Sequence, residues 1–143
     1  MEIIQATNQQ HFFDCMMIRG QVFVDEQHVP SSIEIDILDR TCLHFLIYEN
    51  NQPICTLRLI EYDDHIHVGR VATLKKYRHQ GYASQLLQFI ETIEIVRKKG
   101  LLMLDAQKQA IDLYTKLGYE IYGKPFLEAN IEHLHARKII KNF

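Results

Sequence analysis

Apolar positions change their period several times along the chain. Residues 1–6 read as a short strand. Thr7-Asn-Gln-Gln10 then fits a capping box, with Thr7 as N-cap and Gln10 at the third helical position. Phe12, Cys15, Met16, Arg19, Val22 and Phe23 recur at steps of three and four, which predicts an amphipathic helix over about 8–24. Asp25 to Arg40 has no clean period, holds Pro30 and is acid-rich, so it reads as irregular with room for a short helix. Three strands follow at His44–Tyr48, Ile54–Ile60 and Ile66–Thr73, separated by Glu49-Asn-Asn-Gln52 and Tyr62-Asp-Asp-His65. Tight turns between them predict an antiparallel meander. Ala83, Leu86, Leu87, Ile90, Ile93 and Val96 then trace a helical face that Gly100 stops. Leu101–Ala106 is a strand, Gln107–Leu117 a helix stopped by Gly118, and Tyr119–Tyr122 and about 131–140 are the last strands.

The order β-α-loop-β-β-β-α-β-α-β-β predicts an α/β (α+β) fold. A mixed, mostly antiparallel central sheet carries helices on both faces, and one helix crosses between two parallel strands. Ligands of such sheets bind outside the carboxyl ends of the parallel strands.

Composition narrows the choice. At 143 residues and no linker, repeat or charge block, the chain is expected to be one domain, 1–143. Apolar residues at 47% and charged residues at 24% are globular values, against disorder. Sixteen basic and eighteen acidic residues are interleaved for a net charge of −2, so no nucleic acid or anionic membrane partner is expected. Cys15, Cys42 and Cys55 form no CxxC pair and suit small core positions, not a disulfide framework. The apolar runs are too short to span a bilayer, and the N-terminus has no basic head or cleavage site. A cytoplasmic protein, monomer or homodimer, is the expectation.

The chemistry concentrates in one segment, from His67-Val-Gly-Arg-Val-Ala-Thr73 to Arg78-His-Gln-Gly-Tyr-Ala83. It reads as strand, short loop, glycine turn, helix. Gly81 lets backbone approach a ligand, Ala83 leaves that approach clear, and the first N–H groups of the helix make an anion site. Arg78 adds charge, and Lys75 and Lys76 a cationic rim. GxGxxG and GxxxxGK[ST] are both absent. By itself Arg-x-x-Gly-x-Ala is a weak motif; its place at a strand-to-helix turn is what gives it weight.

Val71-Ala-Thr73, Tyr77, Arg78-x-x-Gly81-x-Ala83 and Leu86-Leu87 resemble motif A of the GCN5-related N-acetyltransferases, the GNAT superfamily. Ala110-Ile-Asp-Leu-Tyr114-Thr-Lys-Leu-Gly118-Tyr119 resembles its motif B. Arg19-x-x-Val22-Phe-Val-x-Glu26-Gln27-x-Val29-Pro30, with Glu34, Asp36, Asp39 and His44, is similar to the small bacterial ElaA/YjcF-like branch.

The resemblance implies an acyl-CoA N-acyltransferase fold with acetyl-CoA as cosubstrate, bound where two parallel strands splay. A bulge at Val71, Ala72 and Thr73 would face the pantetheine arm and thioester carbonyl. Arg78, His79, Gln80, Gly81, Tyr82 and Ala83 would cradle the pyrophosphate. Tyr114 takes the place of the tyrosine that protonates the leaving thiolate, although its helical spacing with Ile111 and Leu117 also suits a core residue. Where many members have an asparagine after the preceding strand, this chain has Asp105-Ala106-Gln107, with Gln107 as the substitute. The family's histone-acetylating branch has a glutamate four residues before the bulge; the matching residue here is His67, a candidate base. Glu26, Glu34 and Asp36 are rival bases or attractors of a cationic amine. His65-x-His67 and His133-x-His135 each pair two imidazoles on a strand face, but neither has a cysteine or HExxH companion, so no metal is expected.

The expected activity is direct acetyl transfer to a primary amine of a small molecule or peptide in a ternary complex. An amino sugar phosphate is a second acceptor class. The rival readings are an acetyl-CoA-binding sensor or scaffold without turnover, and a phosphate binder that uses only the glycine turn.

Overall fold

A computed structural model describes residues 1–141. Its elements in order are β1 (Glu2–Gln5), α1 (Gln9–Arg19), α2 (Ser31–Glu34), β2 (Leu43–Glu49), β3 (Gln52–Glu61), β4 (Ile66–Thr73), α3 (Tyr82–Ile90), α4 (Glu94–Lys99), β5 (Leu101–Gln107), α5 (Ile111–Lys116), β6 (Glu120–Glu128) and β7 (Ile131–Ile139). The strands form one sheet in the order β1-β2-β3-β4-β5-β7-β6. Every pairing is antiparallel except β4 with β5. This is the mixed, mostly antiparallel sheet that the element order predicts.

Helix limits differ from the periodic pattern for local reasons. Asn8, not Thr7, caps α1: its side chain accepts from the His11 N–H at 2.9 Å, while the Thr7 N–H donates to His11 Nδ1. The apolar stripe runs on past Arg19, but Gly20–Glu26 winds as a wider π-helix, with the Gln27 N–H donating to the Val22 carbonyl. The long helix expected over 83–96 breaks into α3 and α4. At the break Thr92 Oγ1 donates to the Phe89 carbonyl at 2.7 Å, a local bond that competes with the helical ladder. Gly100, at φ +73, ends α4 as expected. α5 is shorter than 107–117, because Gln107 closes β5 and Lys108–Ala110 turn as a 3-10 helix first. β6 runs on past Tyr122 to Glu128, through an irregularity at Gly123–Pro125.

Two apolar layers sandwich the sheet. Phe45, Ile47, Ile54, Leu57, Leu86, Leu87, Ile90, Val96, Leu102 and Leu104 fill the layer under α3, α4 and α5. On the opposite face α1 lies across β2, β3 and β4. Cys15 there packs with Ala6 and Leu46, and Ile18, Val22 and Phe23 pack on Ala72. Cross-strand register puts His67 beside Met103 and puts Asp105, His135 and Tyr122 in a row on one face. These side chains of β4–β7 are only half-buried. Cys15 and Cys55 are sealed in the two layers, and Cys42 is half-buried with Sγ 3.4 Å from His44 Nε2.

Candidate active site

β4 and β5 pair only from Ile66 with Leu102 to Val68 with Leu104, and beyond Val68 the β5-facing edge of β4 has no strand partner. β5 continues to Gln107 against β7 instead. The gap opens into a cleft of about 340 Å³. Its floor is His67–Val71 of β4 with Leu104, Asp105 and Gln107 of β5. One wall is Phe23, Gln27, Val29, Ile33 and Glu34, after and within the helical segments of the first half. The other is the tight β6–β7 turn, with Glu128, Ala129, Ile131 and His133. Ala129 and Asn130 both take positive φ there, the geometry of a two-residue hairpin turn. Tyr114 reaches the cleft from α5.

The bulge in β4 lies slightly earlier than expected. Ala72 and Thr73 pair regularly with Thr56 and Cys55, and the register slips between Ala72 and Gly69, so Arg70 and Val71 form the irregularity. Arg70 takes φ +52, a left-handed conformation rare for a long side chain. Its guanidinium secures it: Nε donates to Glu34 Oε2 at 2.9 Å and Nη2 to the Glu34 carbonyl at 3.0 Å. Val71 lines the cleft. The Ala72 side chain is buried under α1, and Thr73 Oγ1 meets Cys55 Sγ at 3.4 Å.

Arg78, His79, Gln80 and Gly81 form the turn into α3, which begins at Tyr82 and Ala83. Gly81 has φ +86, and a Cβ placed on it would meet no atom within 4 Å. The space around Gly81 is therefore open. Arg78 is not a free charge. Its Nε donates to the Thr73 carbonyl, and Nη1 and Nη2 donate to Glu26 at 2.9 and 2.8 Å. Gln80 Nε2 donates to the Lys76 carbonyl. Gln107 lies in the cleft, but its amide is paired with that of Gln27.

Glu26, Glu34 and Asp36 are not brought together as an open acidic patch. Glu26 holds Arg78. Glu34, 3% exposed, is gripped by Arg19 and Arg70. Asp36 takes two hydrogen bonds from Arg58, and Asp39, absent from the sequence-based set, takes bonds from both Arg19 and Arg58. Three arginines and three carboxylates thus form one ionic cluster joining α1, α2, β3 and the bulge. The Arg58 hydrogen bonds hold the Asp36 carboxyl below its ordinary range. Burial pushes Asp39 up, but hydrogen bonds from Arg19 and the Asp36 N–H, with Arg19 and Arg58 beside it, outweigh burial and hold it well below. Asp39, Cys42 and His44 bring three metal-ligand atoms together, yet Asp39 is already committed to these arginines.

Tyr114 is 5% exposed, and its ring packs edge-on against Tyr119. Burial pushes the Tyr114 phenol well above the ordinary value and keeps it protonated. Burial pushes the His67 imidazole below its ordinary pKa, against the opposing charge of Asp105. From the sequence, Asp105 reads only as part of a replaced asparagine position and His135 only as half of an imidazole pair; the structure joins the two. Asp105 Oδ1 lies 2.6 Å from His135 Nδ1, and the ring of His135 stacks on Phe126 and Tyr122 at 4.5 and 5.5 Å. Strand alternation, Asp105 with Gln107 and His133 with His135, was the available signal.

Comparison with known proteins agrees with this geometry. The profile of the acetyltransferase (GNAT) domain matches residues 40–121. The uncharacterized N-acetyltransferase YjcF of Bacillus subtilis is 32% identical over 139 residues, covering 96% of this chain and 99% of that protein. The crystal structure of Escherichia coli ElaA superposes with a TM-score of 0.85 at 22% identity, covering 96% of this chain and 99% of that one. An aminoglycoside 6'-N-acetyltransferase complexed with coenzyme A superposes with a TM-score of 0.75 at 15% identity, covering 98% and 97%. The chain belongs to the GCN5-related N-acetyltransferases, in the branch of YjcF and ElaA.

Proposed function

We propose that this single domain, residues 1–143, transfers acetyl from acetyl-CoA directly to a primary amine within a ternary complex. The observation that carries the reading is the splay of β4 from β5, with Tyr114 and His67 both on the cleft it opens. Acetyl-CoA supplies an activated acyl group on a thiol leaving group. The unpartnered β4 edge at Gly69–Val71 offers backbone donors where charge develops on the acyl oxygen. The open turn at Gly81 and the start of α3 suit the pyrophosphate, with Arg78 and His79–Ala83 as its surroundings. Gln107 borders the pantetheine path from β5.

His67, neutral through burial, takes one proton from the incoming ammonium, and that proton leaves to solvent. Tyr114 gives its hydroxyl proton to the departing sulfur and regains the amine's remaining extra proton. The balance is one amide, one thiol and one released proton. None of the three cysteines lines the cleft, which agrees with direct transfer. Among the described residues no helix is long and apolar enough to cross a membrane; the proposed enzyme acts in the cytoplasm, as a monomer or homodimer, on small amines.

A sensor without turnover is the second reading, favoured by the internal pairing of Arg78 with Glu26 and Gln107 with Gln27. Calorimetric titration with acetyl-CoA, CoA and ATP, followed by an amine screen for thiol release, separates the two. Micromolar binding of acetyl-CoA, much weaker binding of ATP and amine-dependent thiol release are expected. Binding without release from any amine favours the sensor; equal binding of ATP refutes both.

A further inference from the structure

Three carboxylates line the cleft: Glu34, Asp105 and Glu128. Glu34 is neutralised by Arg19 and Arg70. Asp105 and Glu128 have no arginine or lysine partner among the described residues, and Asp105 has one oxygen bound to His135 and the other unbonded. The one cation in the lining, Arg70, is spent on Glu34 and Asp36. The unneutralised charge of the cleft is therefore negative, and it lies on the β5–β7 side, away from the acidic loop of the first half.

We propose that Asp105 anchors the ammonium group of the acceptor, and that the acceptor is a cationic amine such as an alkyl diamine, not a phosphorylated one. The inference rests on the N-acetyl transfer reading above. His67 lines the same cleft from the neighbouring strand, paired with Met103, which lies two residues before Asp105 on the same face of β5. An ammonium bound at the free Asp105 oxygen is thereby held next to the group that deprotonates it. His135 is a positioning residue. Its Nδ1–H donates to Asp105 Oδ1 and fixes the carboxylate, while Phe126 and Tyr122 fix the imidazole plane. Glu128, on the wall formed by the β6–β7 turn, favours a second positive group on the acceptor and repels a phosphate.

The test compares 1,4-diaminobutane with glucosamine 6-phosphate in a thiol-release assay, with the wild type, Asp105→Asn and His135→Gln. The wild type should favour the diamine by at least about tenfold in kcat/KM. Asp105→Asn should raise the diamine KM by about 10–100-fold with the acetyl-CoA Kd unchanged. His135→Gln, at a half-exposed ring, should raise KM several-fold with a smaller change in kcat, a split that loss of folded protein does not produce. Without acetyl-CoA, adding the diamine should shift the His135 ring resonances in the wild type and leave the nearest imidazoles unmoved in Asp105→Asn. A wild type that prefers glucosamine 6-phosphate, or an Asp105→Asn enzyme with unchanged diamine KM, overturns this proposal and leaves acetyl transfer standing. A wild type that binds acetyl-CoA but releases no thiol with any amine overturns the transfer reading and the anchor with it.

Discussion

Glu34→Ala is the most exacting perturbation of the ionic cluster that shapes the cleft wall. The side chain accepts from Arg19 Nε at 3.0 Å and from Arg70 Nε at 2.9 Å. Arg19 is 1% exposed and Arg70 about a quarter, so the first bond is desolvated and the second partly so. Hydrogen bonds to charged groups contribute about 1.5–3 kcal/mol each when buried. Two such bonds bound the loss at about 6 kcal/mol. Relief of the carboxylate's own desolvation offsets part of this, and Arg19 keeps its paired bonds to Asp39. A destabilisation of about 3 kcal/mol is expected, or roughly 10 °C in Tm for a chain of this size. Glu34→Gln keeps the shape and one acceptor and should cost less. Urea unfolding at pH 7 measures both, with Glu120→Ala as the control, since the exposed Glu120–Arg137 pair should be worth under about 0.5 kcal/mol. If Glu34→Ala loses less than about 1 kcal/mol, the cluster is a hydrated surface feature and the argument fails.

Four further outcomes are expected. Gly81→Val places a branched residue at φ +86, so it should cost about 1–2 kcal/mol of stability and abolish acetyl-CoA binding by calorimetry; a folded variant with wild-type affinity would remove the turn from the site. Tyr114→Phe should lower single-turnover acetyl transfer by about 100-fold with cofactor affinity unchanged, and an unchanged rate would return Tyr114 to the core. Asp36 and Asp39 have depressed carboxyl pKa values when folded, so their contribution is present above about pH 4 and is lost as pH falls through the folded values; Asp39→Asn should flatten acid unfolding followed by circular dichroism. The Tyr119 hydroxyl is buried with no partner among the described residues, so Tyr119→Phe should raise stability by about 1 kcal/mol in thermal melts, and a loss would imply a bridging water.

The meander, the crossover and the placing of Arg78–Ala83 at a strand-to-helix turn were all legible from periodicity, because alternation and the 3.6 repeat record burial directly. β4 ends and begins where its pattern says. Legibility failed where backbone geometry depends on distant partners. The bulge centres on Arg70 because a glutamate 36 residues earlier in the chain accepts from its guanidinium. The helix broke at Thr92 through a side-chain bond that hydropathy does not register. The same blindness affected charge. Glu26, Glu34 and Asp36 look like an acidic patch in one dimension, and only the fold shows an arginine against each. Asp105, passed over as a replaced asparagine, lines the cleft without one.

The cysteine placement makes the chain its own conformational clock. Burial raises all three thiols, Cys55 to about 11, so at neutral pH each is nearly all thiol and unreactive. Two are sealed, and Cys55 meets Thr73 where β3 holds β4 beside the cleft. A thiol reagent should thus label Cys42 first, and Cys55 only as fast as that part of the sheet opens. The delay between the Cys42 and Cys55 labels reads the opening rate of β3 where it holds β4 in unmodified protein, and labelling of the protein's own thiols sets the lower limit on any turnover measured by released thiol.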